Sequence, residues 1–205
     1  MISLYQIKPQ FQALLRPLVR RLAARGITAN SVTLIAMLVS CLLGLLLFQA
    51  GAGNTRLFLL LPAWMLLRMG FNAIDGMLAR EFNQKTPLGA YLNELSDVIS
   101  DAALYLPFAM IAPFGWGSIG SIIFLSALSE MTGIMGPMVG APRSYLGPMG
   151  KSDRALVFGL LGLWLALAGS FPAWAFWLLP AVGILICINI INRIRHGLPK
   201  LPETS

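Results

Sequence analysis

"LFLLLPAWMLLRMGFNAIDGMLAREFNQK" spans residues 57–85 and joins a long apolar run to a polar end that contains Asn72, Asp75 and Arg80. A helix that crosses the hydrocarbon core of a bilayer needs about 20 mainly apolar residues, and the first part of this stretch meets that length. Ionisable side chains at membrane depth are costly, so they normally face a cavity, a partner or a bound ion. The stretch therefore predicts a transmembrane helix with a functional site at one end.

The composition of the whole chain points to the same lipid environment. Of its 205 residues, 57% are hydrophobic and 11% are charged, and the mean hydropathy is +0.76. One soluble core cannot bury this much apolar surface. Because open sheets cannot satisfy their backbone hydrogen bonds in lipid, we expect an all-α polytopic membrane protein with six transmembrane helices. The apolar stretches that predict them are 31–50, 57–80, 88–112, 117–140, 155–171 and 173–192.

The lysines and arginines predict how the chain lies in a bacterial inner membrane. Five of them precede the first apolar stretch, three follow the last one, and one, Arg56, falls in the predicted outer turns. Since basic residues collect on the cytoplasmic side, we expect both termini and the polar end near Arg80 in the cytoplasm. The net charge of +7 suits anionic headgroups and requires no nucleic acid. We expect one membrane domain over residues 1–195 and a short cytoplasmic tail over 196–205.

Residues 3–26 predict an amphipathic helix that lies in the cytoplasmic interface. Apolar side chains such as Leu15, Val19 and Leu22 recur at helical spacing among the arginines. Pro17 would be the point at which such a helix bends. The alternative is a basic flank that merely sets the orientation of the first span.

The acidic residues are few and clustered. The chain has eight, and five of them fall between Asp75 and Asp101. At ~3.6 residues per turn, Asn72, Asp75 and Ala79 share one helix face, and Asn93, Asp97 and Asp101 share a face of the next helix. Carboxylate and amide oxygens of this kind suit Mg²⁺, Mn²⁺ or Ca²⁺, and no His/Cys cluster in the sequence argues for zinc or iron. A phosphate-binding arginine, Arg80, beside Gly76 completes a pattern that suits phosphate chemistry on a lipid.

The stretch "DGMLAREFNQKTPLGAYLNELSD", residues 75–97, resembles the motif of the CDP-alcohol phosphatidyltransferase family. The usual pattern is D-x-x-D-G-x-x-A-R-x8-G-x3-D-x3-D. Six positions match it without an insertion: Asp75, Gly76, Ala79, Arg80, Gly89 and Asp97. The six-helix plan with a leading interfacial helix extends the likeness over most of the chain.

The resemblance implies an enzyme of phospholipid biosynthesis that binds a CDP-activated lipid such as CDP-diacylglycerol. An acceptor alcohol would displace CMP with the help of Mg²⁺ or Mn²⁺. By position in the motif, Asp97 would be the base and would also belong to the metal set with Asn72, Asp75 and Asn93. Gly76, Ala79 and Arg80 would contact the nucleotide. "GITANSVT", residues 26–33, resembles the family's entry to the first span and implies that Asn30 and Thr33 lie near the diphosphate.

Two positions depart from the family pattern, because Asn72 and Asn93 stand where aspartates are usual. The four motif positions then carry two negative charges instead of four, which leaves the number of bound metals open. Glu94 and Asp101 are candidate auxiliary ligands. The alternative is that Glu94 faces headgroups and Asp101 pairs with an arginine such as Arg68.

A second departure lies in "APRSYLGPMGKSDRAL", residues 141–156. Here the family often has G-K-x-x-T, and Arg154 stands at the threonine position. We expect Arg143, Lys151 and Arg154 to contact the acceptor, and the extra guanidinium favours a phosphorylated alcohol. The alternative is that these residues bind lipid headgroups. Glu130, which has no counterpart in the motif, is expected to hydrogen-bond a neighbouring helix.

The sequence is compatible with three functions. An active transferase is favoured, and the two asparagines leave room for a family member that binds the CDP-lipid without turnover. A small transporter is the third alternative, although its polar residues would be spread across the membrane and not gathered near one face. Small residues such as Gly159 and Gly162 suit close helix packing and a homodimer face.

Overall fold

The computed structural model describes residues 4–145 and 147–198, and these residues form seven α-helices without a strand. The α-helices are α1 Leu4–Ala24, α2 Ala29–Ala50, α3 Leu60–Glu81, α4 Pro87–Tyr105, α5 Trp116–Met135, α6 Lys151–Ala168 and α7 Leu178–Gly197. Short 3₁₀ segments at Gly51–Leu59, Leu106–Met110, Gly136–Val139 and Ala173–Trp177 connect some of them. The all-α prediction is confirmed, and α2 to α7 correspond to the six predicted stretches.

Three helical segments among the described residues are long and apolar enough to cross a membrane: Ala29–Glu81, Trp116–Val139 and Ala173–Gly197. The first contains two helices, α2 and α3, which the 3₁₀ segment Gly51–Leu59 separates. The charged residues predicted for the site lower the apolarity of α4 and α6. The prediction that all six helices cross the membrane therefore stays a prediction.

The core lies where α2 packs against α3 and α4, and where α5 packs against α7. Tyr105 of α4 stacks on Phe158 of α6 with ring centroids 3.7 Å apart. The backbones of α2 and α4 approach so closely at Gly44 that a Cβ there would lie 2.3 Å from the carbonyl oxygen of Ala103. Leucines such as Leu38 and Leu42 are more than half exposed on the outer side of α2, as expected of a surface that lipid covers.

The predicted N-terminal helix is confirmed as α1, which runs through Pro17 without interruption and ends two residues earlier than predicted. Val19 is fully buried in a cluster with Ile74 and Leu78 of α3. Leu14, by contrast, is 77% exposed. A helix with one face on the protein and an apolar residue on its outer face fits the membrane interface.

The turn after α3 brings three helix ends together. The Gln84 side chain accepts a hydrogen bond of 2.7 Å from the backbone N–H of Ala29, at the start of α2. Thr28 caps α2 through the N–H of Ser31, and Thr86 caps α4 through the N–H of Gly89. Because caps satisfy the free N–H groups of the first turn, they fix the ends of α2 and α4 beside the end of α3.

At the C-terminus, α7 continues to Gly197 and so extends into the segment predicted to be a tail. Residues 199–205 of that predicted tail lie outside the described residues.

Candidate active site

A cavity of about 670 Å³ opens between α1, α3, α4 and α6. Its polar wall is formed by residues that the sequence singled out: Asn72, Asp75, Gly76, Arg80, Asn93 and Lys151. Arg68 also lines it, one helical turn before Asn72. The predicted convergence of α3 and α4 on one site is therefore present, and α6 contributes to the same site.

Asp75 is held on the cavity wall by a neighbouring helix. Its side chain is 6% exposed, and it accepts a hydrogen bond of 2.8 Å from the hydroxyl of Thr33 on α2. Thr33 therefore contributes to the site indirectly, through its hydrogen bond to Asp75. The side chain of Asn30 lies elsewhere, since its Oδ1 would be 2.7 Å from a Cβ built at Gly89. Asn30 thus packs at the start of α4, away from the polar wall.

The guanidinium of Arg80 lies over Gly76. A Cβ built at Gly76 would be 2.8 Å from Nη2 of Arg80, so glycine leaves the room that this arginine occupies. Ala79 is half-buried on the same helix and does not line the cavity.

Asp97 lies just behind the wall, between two cations. The ammonium group of Lys151 forms a close ion pair with Oδ1 of Asp97. Nη2 of Arg68 lies 3.3 Å from the same oxygen and donates a hydrogen bond of 3.1 Å to the main-chain oxygen of Asp97. The candidate base is therefore fixed by side chains of α3 and α6.

Asp101 belongs to a buried ionic network below the cavity. Arg68 donates to Asp101 at 2.5 Å, so of the two sequence interpretations the pairing with Arg68 matches the structure. Arg154 is completely buried and lies 3.4 Å from Asp101 and 3.0 Å from Glu130. Nη1 of Arg193 lies 3.6 Å from Glu130. The network joins α3 to α7, and it removes Arg154 from the acceptor-contacting position predicted for it.

Glu94 and Arg143 form a separate pair at the mouth of the site. Two hydrogen bonds join their side chains, one of them 2.8 Å long, and Arg143 also stacks over the ring of Tyr145 at 4.8 Å. Partial burial works against the charge of Arg143, but the hydrogen bonds and negative charge of Glu94 outweigh it and raise the pKa of Arg143 above its ordinary value. Glu94 therefore pairs with a cation of the protein itself, a contact that neither sequence interpretation included.

The donor set of the cavity fits one hard cation better than two. Oxygen-bearing side chains of Asn72, Asp75 and Asn93 share the wall, but amide oxygens are neutral and only Asp75 brings a charge. Asp97 is already paired with Lys151 and Arg68. No group of three or more His, Cys, Asp or Glu residues in the described part of the chain could hold a metal ion.

Comparison with known proteins decides which family this site belongs to. The sequence profile of the CDP-alcohol phosphatidyltransferases matches residues 26–185. The chain belongs to the CDP-alcohol phosphatidyltransferase family. It is similar to Inner membrane protein YnbA of Escherichia coli (strain K12), with 48% identity over 96% of this chain and 97% of that protein. It is also similar to the phosphatidylinositol phosphate synthase of Mycobacteroides abscessus, with 32% identity over 55% of this chain and 49% of that one.

Solved structures share the fold of this phosphatidyltransferase. The phosphatidylinositol phosphate synthase of Mycobacterium tuberculosis with CDP-DAG bound has a TM-score of 0.73 at 19% identity, over 92% of this chain and 96% of that chain. The structure of the same protein with manganese and citrate has a TM-score of 0.71 at 18% identity, over 90% and 92% of the two chains. The family makes this chain a membrane enzyme of phospholipid biosynthesis, and its similarity to YnbA supports an inner-membrane location.

Several residues near the site escaped the sequence analysis. Phe11 and Gln12 of α1 line the cavity, and Arg193 of α7 joins the ionic network. Asn189 and Arg193 are four residues apart and both buried, so polar residues at helical spacing in an apolar helix were the available signal. Nothing in the sequence of α1 distinguishes Gln12 from an ordinary interfacial residue.

Proposed function

We propose that this phosphatidyltransferase transfers the phosphatidyl group of CDP-diacylglycerol, or a similar CDP-activated lipid, to an acceptor alcohol and releases CMP. The observation that carries the proposal is the cavity in which Asp75, Arg80 and Lys151 line one wall with Asp97 directly behind Lys151. These residues lie at the motif positions that the family uses, in a chain that the family profile covers over residues 26–185.

The donor diphosphate would lie along α3. Arg80 can donate two parallel hydrogen bonds to phosphate oxygens, and Gly76 leaves the room that its guanidinium occupies. Lys151 would contribute a second positive charge from α6. The acyl chains would leave the cavity toward the lipid-facing side, since the apolar residues Phe11, Met65 and Met69 line it as well.

The reaction is a displacement at the phosphorus atom that carries the diacylglycerol. The acceptor oxygen forms a new bond to this phosphorus, and the bond to the bridging oxygen of the diphosphate breaks, so CMP leaves with that oxygen. The carboxylate of Asp97 takes the proton of the attacking hydroxyl. Lys151 and Arg68 would hold the carboxylate in one position just behind the cavity wall while it does so.

We propose one Mg²⁺ or Mn²⁺ as the metal, held by Asp75 with the amide oxygens of Asn72 and Asn93. Asp97 is close enough along α4 to join this set, but its ion pairs with Lys151 and Arg68 compete for it. When bound, a divalent ion neutralises diphosphate charge during phosphoryl transfer.

The site would face the cytoplasm. With α2 to α7 as six spans, the basic residues near Arg80 and in 143–154 fall on the same side as both termini. The charged residues of α4 and α6 would then be shielded inside the bundle, paired with one another.

The experiment that tests the proposal uses purified protein in detergent with CDP-diacylglycerol, Mg²⁺ or Mn²⁺ and a panel of alcohols. CMP release is followed, and the lipid product is identified by mass spectrometry. We expect CMP release to require an alcohol and to produce the corresponding phosphatidyl alcohol. Saturable binding of the donor without turnover by any alcohol would favour a binding protein, an interpretation that Asn72 and Asn93 keep open.

A further inference from the structure

The three cations that the sequence assigned to the acceptor are already paired with carboxylates. The sequence predicted that Arg143, Lys151 and Arg154 would hold a phosphorylated acceptor. In the structure each of the three has a carboxylate partner: Glu94 for Arg143, Asp97 for Lys151, and both Asp101 and Glu130 for Arg154. A phosphate group that bound to these three cations would have to compete with the four carboxylates that already pair with them.

From this balance, and resting on the proposed transfer reaction, we propose that the acceptor is an uncharged polyhydroxy alcohol without a phosphate group.

Arg154 gives the first reason. It stands at a position where a cation near the acceptor would be expected, yet its side chain is 1% exposed and it is turned to Asp101 and Glu130. Moving a buried guanidinium away from its partners would leave Asp101 and Glu130 unpaired in a low-dielectric interior, which is costly. Arg154 therefore neutralises the buried charges of Asp101 and Glu130, and it is not available to an incoming phosphate.

Glu130 gives the second reason. Its carboxylate is 15% exposed and lies 3.0 Å from Arg154 and 3.6 Å from Arg193. It thus already pairs with two guanidiniums, one of which, Arg154, the sequence had assigned to the acceptor phosphate. A phosphate would have to displace Glu130 or lie against it, and either arrangement is opposed by like-charge repulsion or by loss of buried pairing.

The donor gives the third reason, because its diphosphate uses the remaining positive charge. Arg68, Arg80 and Lys151 are the cations on the cavity wall, and among the described residues only Arg80 of these has no carboxylate within 4 Å. The donor diphosphate would engage Arg80 together with the proposed divalent ion, so none of these three wall cations would be left unpaired for a second phosphate. Hydroxyl groups, in contrast, can accept hydrogen bonds from the amide N–H groups of Asn72 and Asn93 without adding charge.

Matched acceptor pairs test the proposal. The full-length protein receives CDP-diacylglycerol with glycerol or glycerol 3-phosphate, and with myo-inositol or myo-inositol 1-phosphate, while CMP release and lipid product are measured. We expect kcat/KM for the uncharged member of the productive pair to exceed that of its phosphorylated partner at least about tenfold, which corresponds to ~1.4 kcal/mol. A preference for the phosphorylated member would overturn the proposal.

A binding measurement keeps the test independent of turnover. Calorimetry with glycerol 3-phosphate and myo-inositol 1-phosphate should detect no saturable binding to the native protein. Glu94→Gln, which frees Arg143, should gain binding of the phosphorylated ligand. The matched control is Glu81→Gln, which removes one negative charge from the exposed pair with Arg16 outside the cavity, and it should gain none. Saturable binding of either phosphate to the native protein would contradict the proposal, whether or not the enzyme turns over. Absence of CMP release with every alcohol would count against the transfer reaction. The calorimetric binding measurement would still test whether the protein binds a phosphorylated ligand.

Discussion

Asn72 and Asn93 are the residues at which this site differs most from the family motif. Their neutral oxygens leave Asp75 as the main negative charge on the cavity wall, because Asp97 is paired with Lys151. We expect weak divalent binding to the native protein and tighter binding to the double variant Asn72→Asp/Asn93→Asp, since metal affinity rises with ligand charge. Calorimetry with Mn²⁺ measures both. Two tight sites in the native protein would refute this account of the metal.

Arg80 is the residue on which donor binding should depend most. Hydrogen bonds to charged groups contribute about 1.5–3 kcal/mol each, so Arg80→Ala should weaken CDP-diacylglycerol binding about tenfold or more. Thermal stabilisation by the donor is the readout. The control is Arg20→Ala, which removes an exposed arginine of α1 that does not line the cavity. Equal stabilisation of both variants and the native protein would remove Arg80 from the donor site.

The sequence predicted those site residues whose positions follow from the spacing of the motif. Asp75, Gly76 and Arg80 of the motif line the cavity together with Lys151, and the roles assigned to them stay predictions. Pairing was harder to predict, because the partners of Arg154 are 24 and 53 residues away in the chain. A basic residue at a helix start can turn to a cavity or to the bundle interior, and only the packing of α4, α5 and α7 decides which.

Among the elements, the contact between α2 and α4 fixes the geometry of the site. α2 carries Thr33, which holds Asp75, and α4 carries Asn93 and Asp97. Gly44→Ala would bring a Cβ within 2.3 Å of the Ala103 carbonyl oxygen, and overpacking of this kind costs about 1–3 kcal/mol. We expect a clearly lower melting temperature and reduced donor binding.

The control for Gly44 is Gly120→Ala in α5. A Cβ at Gly120 meets nothing within 4 Å, and Ala is favoured over Gly inside helices by about 0.5–1 kcal/mol. This variant should keep or slightly raise the melting temperature. If both variants behaved alike, the close approach of α2 and α4 would not be a determinant of stability.

Helix positions followed from the apolar stretches, but some ends did not. The stretch 88–112 predicted one helix, whereas α4 ends at Tyr105 and a 3₁₀ segment follows over Leu106–Met110. Pro107 lacks a backbone N–H and cannot continue the α-helical pattern, while apolar composition alone does not distinguish the two helix types. The role of α1 as part of the cavity wall also depended on packing that its own pattern does not contain.

For the whole molecule, the testable property is its orientation in the membrane. Arg56 and Lys85 are both exposed and lie at opposite ends of α3. We expect Arg56→Cys to react with a membrane-impermeant maleimide on the periplasmic side of intact spheroplasts, and Lys85→Cys to react only after lysis. Both variants are made with Cys41 and Cys187 replaced by serine, and this background alone is the control. The reverse pattern would place the cavity outside the cytoplasm.

We predict that this molecule turns over a CDP-lipid with Asp97 as the base. The most direct measurement compares native protein with Asp97→Asn for CMP release and for CDP-diacylglycerol binding in the same preparation. Asparagine keeps the size of the side chain but cannot accept the proton, so the rate should fall by a factor of about 10² to 10⁴ while donor binding is mostly retained. Full activity of Asp97→Asn, or equal donor binding by both proteins with no turnover by either, would contradict the account.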